Sequence, residues 1–130
     1  MTRFLLDTHA VIHWQIGTAM PRALADDLDV ASRSGRVLVS TAAFWEVALL
    51  ARKGRIEIDD VSSWKKELVA ATGVKLAIPQ VDEMIASVAL PQHHRDPFDR
   101  LFIAQAQALH AVLVSRDAVF SAYDVETRWV

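Results

Sequence analysis

Short apolar runs that alternate with longer segments of helical periodicity constrain the fold of this chain most strongly. Four such runs and one extended segment near the end predict strands at residues 4–6, 37–39, 74–78, 111–114 and 125–129. Strands joined through helices in this way are parallel, with right-handed crossovers and helices on both faces of the sheet. We therefore predict one α/β domain, residues 1–130, with a parallel sheet of four to five strands.

The segments between these strands carry apolar residues at three- and four-residue spacing, which is typical of amphipathic helices. They predict helices at residues 8–14, 23–31, 41–53, 63–72, 81–88 and 97–110, with a short helical turn at 118–120. Glycine follows several of these segments and proline ends others, as is common at helix ends. No internal repeat, linker or low-complexity segment interrupts the pattern, which again favours a single domain.

The composition narrows the class of protein further. The chain has no cysteine, a formal net charge of −2, and no apolar stretch near the roughly 20 residues of a membrane span. Its N-terminus makes a poor signal peptide, because Asp7 interrupts the short apolar run. We therefore expect a cytoplasmic protein with no membrane contact and no disulfide. The slightly acidic charge argues against coating nucleic acid by bulk attraction, but not against a nuclease in which a metal supplies positive charge.

The sequence HRDPFDR at residues 94–100 predicts the start of a helix. Asp96 is a good N-cap residue, and Pro97 suits the first helical position. Asp99 then falls in the first helical turn, where a carboxylate interacts favourably with the helix dipole. A structural role would therefore account for Asp99 if no other acids lay near it.

Three more acids follow strands or begin helices in a way that would bring them to the same edge as Asp99. Asp7 directly follows the first predicted strand, Asp117 lies just past the fourth, and Glu46 is one turn into the helix after the second. Ligands of open parallel sheets bind outside the carboxyl ends of the strands. We therefore predict that these four acids converge on one site.

Each of these acids also has a structural alternative. Asp7 and Asp117 would serve as N-caps for the elements that follow them. Glu46 is the only charge in the nine residues AAFWEVALL, and a helix that is apolar all round is buried. A buried carboxylate must pair with a cation, take a proton or bind a metal. An ion pair with Arg52 or Arg55 is the structural alternative for Glu46.

Carboxylates that converge repel one another unless a positive charge lies between them. An all-oxygen site of Asp and Glu suits Mg²⁺ or Mn²⁺ rather than zinc or copper. Such a site, with one ion or with two about 3.5–4 Å apart, activates water and stabilises the charge of a phosphodiester displacement. The four acids therefore predict metal-dependent phosphoryl transfer or hydrolysis.

Four segments of the chain resemble the PIN-domain ribonucleases, and among them the VapC-type toxins of bacterial toxin–antitoxin pairs. These segments are LLDTHAVIHW at residues 5–14, STAAFWEVALLARKGRIEI at 40–58, HRDPFDRLFIAQA at 94–106 and VLVSRDAVFSAY at 112–123. They occur in the family's order and cover nearly the whole chain. The resemblance is to the subgroup with a tryptophan before the second acid and with the HRDPFDR segment.

The resemblance implies a three-layer α/β/α, PIN-like fold and a nuclease that cleaves single-stranded regions of RNA. The family's four acids, which bind Mg²⁺ or Mn²⁺, fall on Asp7, Glu46, Asp99 and Asp117, with no departure from the family pattern. The resemblance also implies a VapB-type antitoxin that covers the site and apolar grooves, and a homodimer. We interpret three large apolar residues as core rather than as partner contacts: Trp14, Trp64 and Met84.

Five further residues are candidates for the surroundings of the acids: Thr8, Ser115, Arg95, Arg100 and Arg116. Thr8 and Ser115 carry hydroxyl groups that would fix the orientation of carboxylates. The three arginines would contact RNA phosphates. Arg100 would alternatively pair with an acid of the site, and the sequence leaves this choice open.

Three other classes of protein remain as alternatives. A haloacid-dehalogenase-like phosphatase also places an Asp after its first strand, but its second Asp would stand where His9 is found. A zinc hydrolase would use His9 and His13, spaced four apart, yet it lacks an obvious third nitrogen ligand. A non-catalytic, receiver-like acidic metal-binding module would need a lysine after the last long strand, and Arg116 is the nearest equivalent.

Overall fold

Strands and helices alternate along the chain, and they confirm the predicted α/β fold. A computed structural model describes all residues, 1–130. The strands are β1 (Phe4–Leu6), β2 (Val37–Ser40), β3 (Lys75–Ala77), β4 (Val112–Val114) and β5 (Thr127–Arg128). The helices are α1 (Thr8–Ile16), α2 (Arg22–Arg33), α3 (Thr41–Arg52), α4 (Val61–Thr72), α5 (Val81–Ala89) and α6 (Pro97–Leu109), with a 3₁₀ helix at Ala118–Ala122. None of the helices combines the length and the apolar character that crossing a membrane would require.

The five strands form one parallel sheet in the order β3-β2-β1-β4-β5. The chain builds outward from β1 in one direction through β2 and β3, and then returns to place β4 on the other side of β1. The gap between the ends of β1 and β4 is therefore the switch point at which open parallel sheets bind ligands. Asp7 lies at this point, and its backbone N–H donates a hydrogen bond to the carbonyl of Val114 at 3.1 Å.

The core forms because both faces of the sheet are covered by apolar side chains. Every residue of β1 and β4 is buried, as parallel strands between two helical layers require. The predicted core positions Trp14 and Trp64 are buried, and each indole N–H has a partner, Asp29 and Gln15 respectively. The prediction for Met84 is wrong, because this side chain is 48% exposed on α5. The helix α5 buries none of its residues.

The prediction that α3 is buried all round is also wrong. Only Ala43 and Val47 of this helix are buried, and Trp45 is 65% exposed. Glu46 is therefore half-buried, with part of its side chain at the surface. It makes no ion pair with an arginine, so the structural alternative for Glu46 is excluded in this structure.

Arg100 corrects a prediction about the site. Its side chain is buried, and the guanidinium donates to four backbone carbonyls, those of Val88, Leu90, Pro91 and His94, at 2.8–3.1 Å. Carbonyls at the end of a helix and in the following turn have no intrahelical donor, and a buried arginine can satisfy several of them at once. Arg100 therefore contacts neither a phosphate-accessible surface nor an acid, and instead fixes the connection between α5 and α6.

Candidate functional site

A pocket of about 380 Å³ opens at the carboxyl edge of the sheet, beside the ends of β1 and β4. None of its lining residues is hydrophobic. Five are carboxylates and three are basic or imidazole side chains: Asp7, Glu46, Asp96, Asp99 and Asp117, with His9, His13 and Arg116. The structure thus brings all four predicted acids to one pocket, together with Asp96.

Asp7 caps α1 and faces the pocket at the same time. Its Oδ1 accepts a hydrogen bond from the backbone N–H of Ala10 at 2.8 Å, so Asp7 also serves as the N-cap that the sequence offered as its alternative role. Burial raises the pKa of this carboxyl, while interactions with the Ser115 hydroxyl and with His9 act in the opposite direction. Asp7 therefore combines a cap with a carboxylate whose charge is disfavoured where it lies.

Glu46 reaches the pocket from α3, which begins directly after β2. The hydroxyl of Ser40 caps this helix by accepting from the N–H of Ala42 at 3.2 Å. The hydroxyl of Thr8 donates to Oε1 of Glu46, which gives Thr8 the orienting contact expected from the sequence. Burial raises the pKa of Glu46, and the charges of Asp96 and Asp7 add to this effect.

Asp99 has the most strongly shifted carboxyl of the four. Asp96 caps α6 as predicted, since its Oδ1 accepts from the N–H groups of Phe98 and Asp99 at 2.8 and 3.2 Å. The pKa of Asp99 is raised to about 8, most of all by burial and then by the charges of Asp96, Asp7, Glu46 and Asp117, in that order of size. The carboxylates therefore lie close enough to disfavour one another's charge.

Asp117 lines the pocket from the segment that follows β4. Its Oδ1 accepts a hydrogen bond from the N–H of Val119 at 3.0 Å and so caps the 3₁₀ helix, which is the alternative role that the sequence offered for Asp117. The hydroxyl of Ser115 accepts from the N–H of Asp117 at 3.0 Å, and it fixes the backbone that carries this acid. Asp117 therefore has both a structural and a pocket-lining position, like Asp7.

His94 contacts two of the four acids, and sequence reasoning missed it. Its Nε2 lies 3.0 Å from Oδ2 of Asp99 and 3.2 Å from Oδ2 of Asp117. No local pattern indicates this contact, because the ring is held by Phe120 and the backbone by Tyr123, both more than 25 residues later. The pairing of His94 with these two acids forms the one compact group of three metal-ligating side chains in the chain.

Basic and imidazole side chains also line the pocket. Arg116 lines it together with His9 and His13, whereas Arg95 is exposed on the loop before α6 and is not a lining residue. Partial burial lowers the pKa of His13, and the nearby His9 and Arg116 lower it further. One guanidinium and two imidazoles therefore line the same pocket as the five carboxylates.

The donor set fits a hard divalent cation. Four carboxylates face one pocket, and burial, together with nearby acids, raises the pKa values of Asp7, Glu46 and Asp99, which disfavours their charged forms. Carboxylate oxygens are the ligands that Mg²⁺ and Mn²⁺ prefer. The zinc alternative loses support, because His13 contacts Thr18 and Trp129, and neither His9 nor His13 belongs to the compact ligand group.

These features define a parallel α/β domain with a carboxylate-lined pocket at the switch point of its sheet. The family model of the PIN domain matches residues 4–126. The chain therefore belongs to the PIN domain family, which confirms the resemblance seen in the sequence. No curated protein matches the chain.

Solved structures share the fold at low sequence identity. The crystal structure of VapBC2 from Rickettsia felis bound to a DNA fragment from their promoter has a TM-score of 0.72 and 12% identity, covering 98% of each chain. PAE2754 from Pyrobaculum aerophilum has a TM-score of 0.59 and 17% identity over 97% of this chain and 83% of that one. FitAcB from Neisseria gonorrhoeae has a TM-score of 0.58 and 18% identity, covering 95% of each chain. At these identities the likeness shows the fold.

The shifted pKa of Asp99 predicts how the metal-free protein responds to pH. A folded-state pKa of about 8, against 3.8 for the ordinary carboxyl, means that folded Asp99 keeps a proton that the unfolded chain loses. The free energy of unfolding should therefore fall as the pH rises from about 4 to about 8. Asp99→Asn removes this loss, so in EDTA its melting temperature should exceed that of the wild type at pH 8 and converge with it near pH 4.

Thermal denaturation between pH 4 and pH 9 measures this difference. Asp59→Asn is the matched control, since Asp59 is an exposed carboxylate outside the pocket, and its curve should follow the wild type. Identical pH dependence in Asp99→Asn and the wild type would show that the pKa of Asp99 is not raised in the folded protein.

Proposed function

We propose that this chain is a metal-dependent endoribonuclease that cleaves single-stranded regions of RNA and acts as the toxin of a toxin–antitoxin pair. The observation that carries the proposal is the convergence of four carboxylates on one pocket at the sheet's switch point. Membership of the PIN domain family supports the same reaction class. The similar fold of the Rickettsia structure, which is named VapBC2, supports the toxin assignment.

In this proposal Asp7, Glu46 and Asp99 hold Mg²⁺ or Mn²⁺, and Asp117 contacts the ion directly or through water. A divalent ion held there supplies Lewis acidity, which favours deprotonation of a water molecule and stabilises negative charge on phosphate oxygens. The hydroxyl of Thr8 holds one oxygen of Glu46 and so limits rotation of its carboxylate. Oδ1 of Asp99 accepts no hydrogen bond from the protein, which leaves it available as a ligand.

The basic side chains of the pocket position the RNA backbone in this proposal. Arg116 contacts a phosphate as a charged hydrogen-bond donor, and His9 lies beside the same acids. Such local contacts agree with a chain whose formal net charge is −2, since it attracts nucleic acid only where cations are concentrated. Arg100 has no part in this contact, because its donors are already engaged by backbone carbonyls.

The remaining alternatives have less support. A haloacid-dehalogenase-like phosphatase would need an acid at His9, and a receiver-like module would need a lysine at Arg116. Neither class accounts for Glu46 and Asp99 in the same pocket as Asp7. A phosphorylated Asp7 trapped with a phosphate ester would support them again.

Cleavage of a single-stranded RNA in Mn²⁺ or Mg²⁺ tests the proposed activity. Wild-type cleavage should stop in EDTA and return with added metal. Asp7→Asn and Asp99→Asn should keep their fold and lose about 100-fold or more of the rate, because a removed ligand charge weakens stabilisation of the transition state. Circular dichroism verifies that the variants fold.

Asp96→Asn is the matched control for this experiment. Asn caps helices about as well as Asp, so this variant should retain most of its stability and activity while losing a charge near the pocket. Cleavage by Asp99→Asn at the wild-type rate would contradict the proposed site.

We further propose a homodimer formed through an apolar surface on α5. This α5 face consists of Val81, Ile85 and Val88, which share one side of the helix, together with Ile78 before it. All four side chains are exposed. A contiguous apolar patch of this kind is uncommon on a monomer and typically marks a protein interface.

The molar mass in solution, measured by light scattering after size exclusion, tests the dimer. Ile85→Lys places a charge in the centre of the α5 face and should shift the protein from dimer to monomer. Val30→Lys, on the exposed side of α2, is the matched control and should remain a dimer. A monomeric wild type would contradict the proposal.

The proposed antitoxin, of the VapB type, covers the acidic pocket and the neighbouring apolar groove. This groove, of about 460 Å³, is lined mainly by Ala42, Trp45, Leu49, Met84, Phe98 and Leu101. An apolar groove next to a charged pocket suits a partner segment with both apolar and basic side chains. A small protein encoded beside this chain should then co-purify with it and suppress RNA cleavage, and a cleavage rate unaffected by that protein would exclude it as the antitoxin.

A further inference from the structure

Several groups other than the carboxyl groups of Asp99 and Asp117 hold His94 in place. Its ring stacks on Phe120 with centroids 5.4 Å apart and an interplanar angle of 24°. Its backbone N–H donates to the hydroxyl of Tyr123 at 2.7 Å, and its carbonyl accepts from Arg100 at 3.0 Å. The backbone N–H of Asp96 donates to its Nδ1 at 3.2 Å. The ring therefore has one orientation, with Nε2 facing two carboxylates.

We propose that His94 is a positioning residue that donates its Nε2–H to Asp117, holds Asp99 3.0 Å from the same nitrogen, and is not itself a metal ligand. The inference rests on the proposed function for the roles of the two acids. It goes further, because it assigns the orientation of the two carboxyl groups to His94 and states which ring nitrogen of His94 carries the proton.

The partner of Nδ1 decides the form of the ring. A backbone N–H can donate only to a nitrogen that carries a lone pair, so Nδ1 opposite Asp96 is unprotonated. The proton of the neutral ring then resides on Nε2, which makes this nitrogen a donor. Metal ligation through Nε2 would need the proton on Nδ1, where it would oppose the N–H of Asp96 and leave that N–H without a partner.

The Nε2 atom of His94 holds the two acids close together before a cation binds. Oδ2 of Asp99 and Oδ2 of Asp117 both lie within hydrogen-bond distance of the same Nε2. No other side chain contacts both carboxyl groups, so this ring alone joins them. Both oxygens of Asp117 have partners in this arrangement, one on His94 and one on Val119, whereas Oδ1 of Asp99 has none. Asp99 therefore keeps one carboxyl oxygen without a hydrogen bond, whereas Asp117 keeps none.

Long-range ¹⁵N–¹H NMR of the histidine rings tests the chemical form directly on the wild-type protein. The His94 signals are assigned by their loss in His94→Gln. The proposal predicts the Nε2–H tautomer both in the metal-free protein and with saturating Mg²⁺, which is diamagnetic. An Nδ1–H tautomer with Mg²⁺ bound would make His94 a ligand and overturn the proposal.

The affinity for Mn²⁺, measured by titration calorimetry, tests the positioning role without RNA. His94→Ala removes the donor and should weaken binding about 10- to 100-fold, the usual effect of losing a group that orients a ligand. His94→Gln places an amide N–H near the position of Nε2 and should bind within a few-fold of the wild type. His93→Ala is the matched control, because the neighbouring His93 packs edge-on against Tyr123 and contacts no acid.

Wild-type affinity in His94→Ala would overturn the proposal, as would equal losses in the Ala and Gln variants. Melting curves establish that each variant is folded before titration. A failure of the proposed function gives a different result, since a chain that binds Mn²⁺ but cleaves no RNA leaves the role of His94 intact. A wild type that binds no Mn²⁺ contradicts the proposed metal site, and the tautomer in the metal-free protein still tests the hydrogen bonds.

Discussion

The burial of carboxyl groups beside one another in one pocket is the constraint on which the rest of this structure depends. Burial and neighbouring charges raise the pKa values of Asp7, Glu46 and Asp99, so the folded protein holds these groups at a cost to its stability. The cost is tolerated because strand ends and helix starts fix the backbone at each acid. A divalent cation among the acids would favour their charged forms, so the arrangement suits a cation site.

The surrounding elements hold the acids through groups that carry no charge in the pocket. Arg100 fixes the connection between α5 and α6 through four carbonyls, and one of these belongs to His94. His94 in turn joins Asp99, at the start of α6, to Asp117, after β4. The connection before α6 is therefore part of the site, although it lies outside the sheet edge that usually forms such pockets.

Much of the fold and of the acid cluster could be predicted because both depend on local pattern. Alternating strands and helices specified the parallel sheet, and Asp7 and Asp117 were recognised from their positions after strands. The contacts of Arg100 and His94 could not be predicted, since they depend on carbonyls and aromatic rings brought close only by the tertiary fold. The exposure of Trp45 was missed for a related reason, because an apolar sequence does not distinguish a core from a surface that binds a partner.

Thermal unfolding with and without Mn²⁺ tests the central claim, that the four acids form a divalent-cation site, most directly. A ligand that binds only the folded state stabilises it by about 2.7 kcal/mol at 100 times its dissociation constant. The wild type should show a clear rise in melting temperature with saturating Mn²⁺, and the double variant Asp7→Asn, Asp99→Asn should show almost none. An unchanged wild-type melting temperature, or an equal rise in the double variant, would contradict the account.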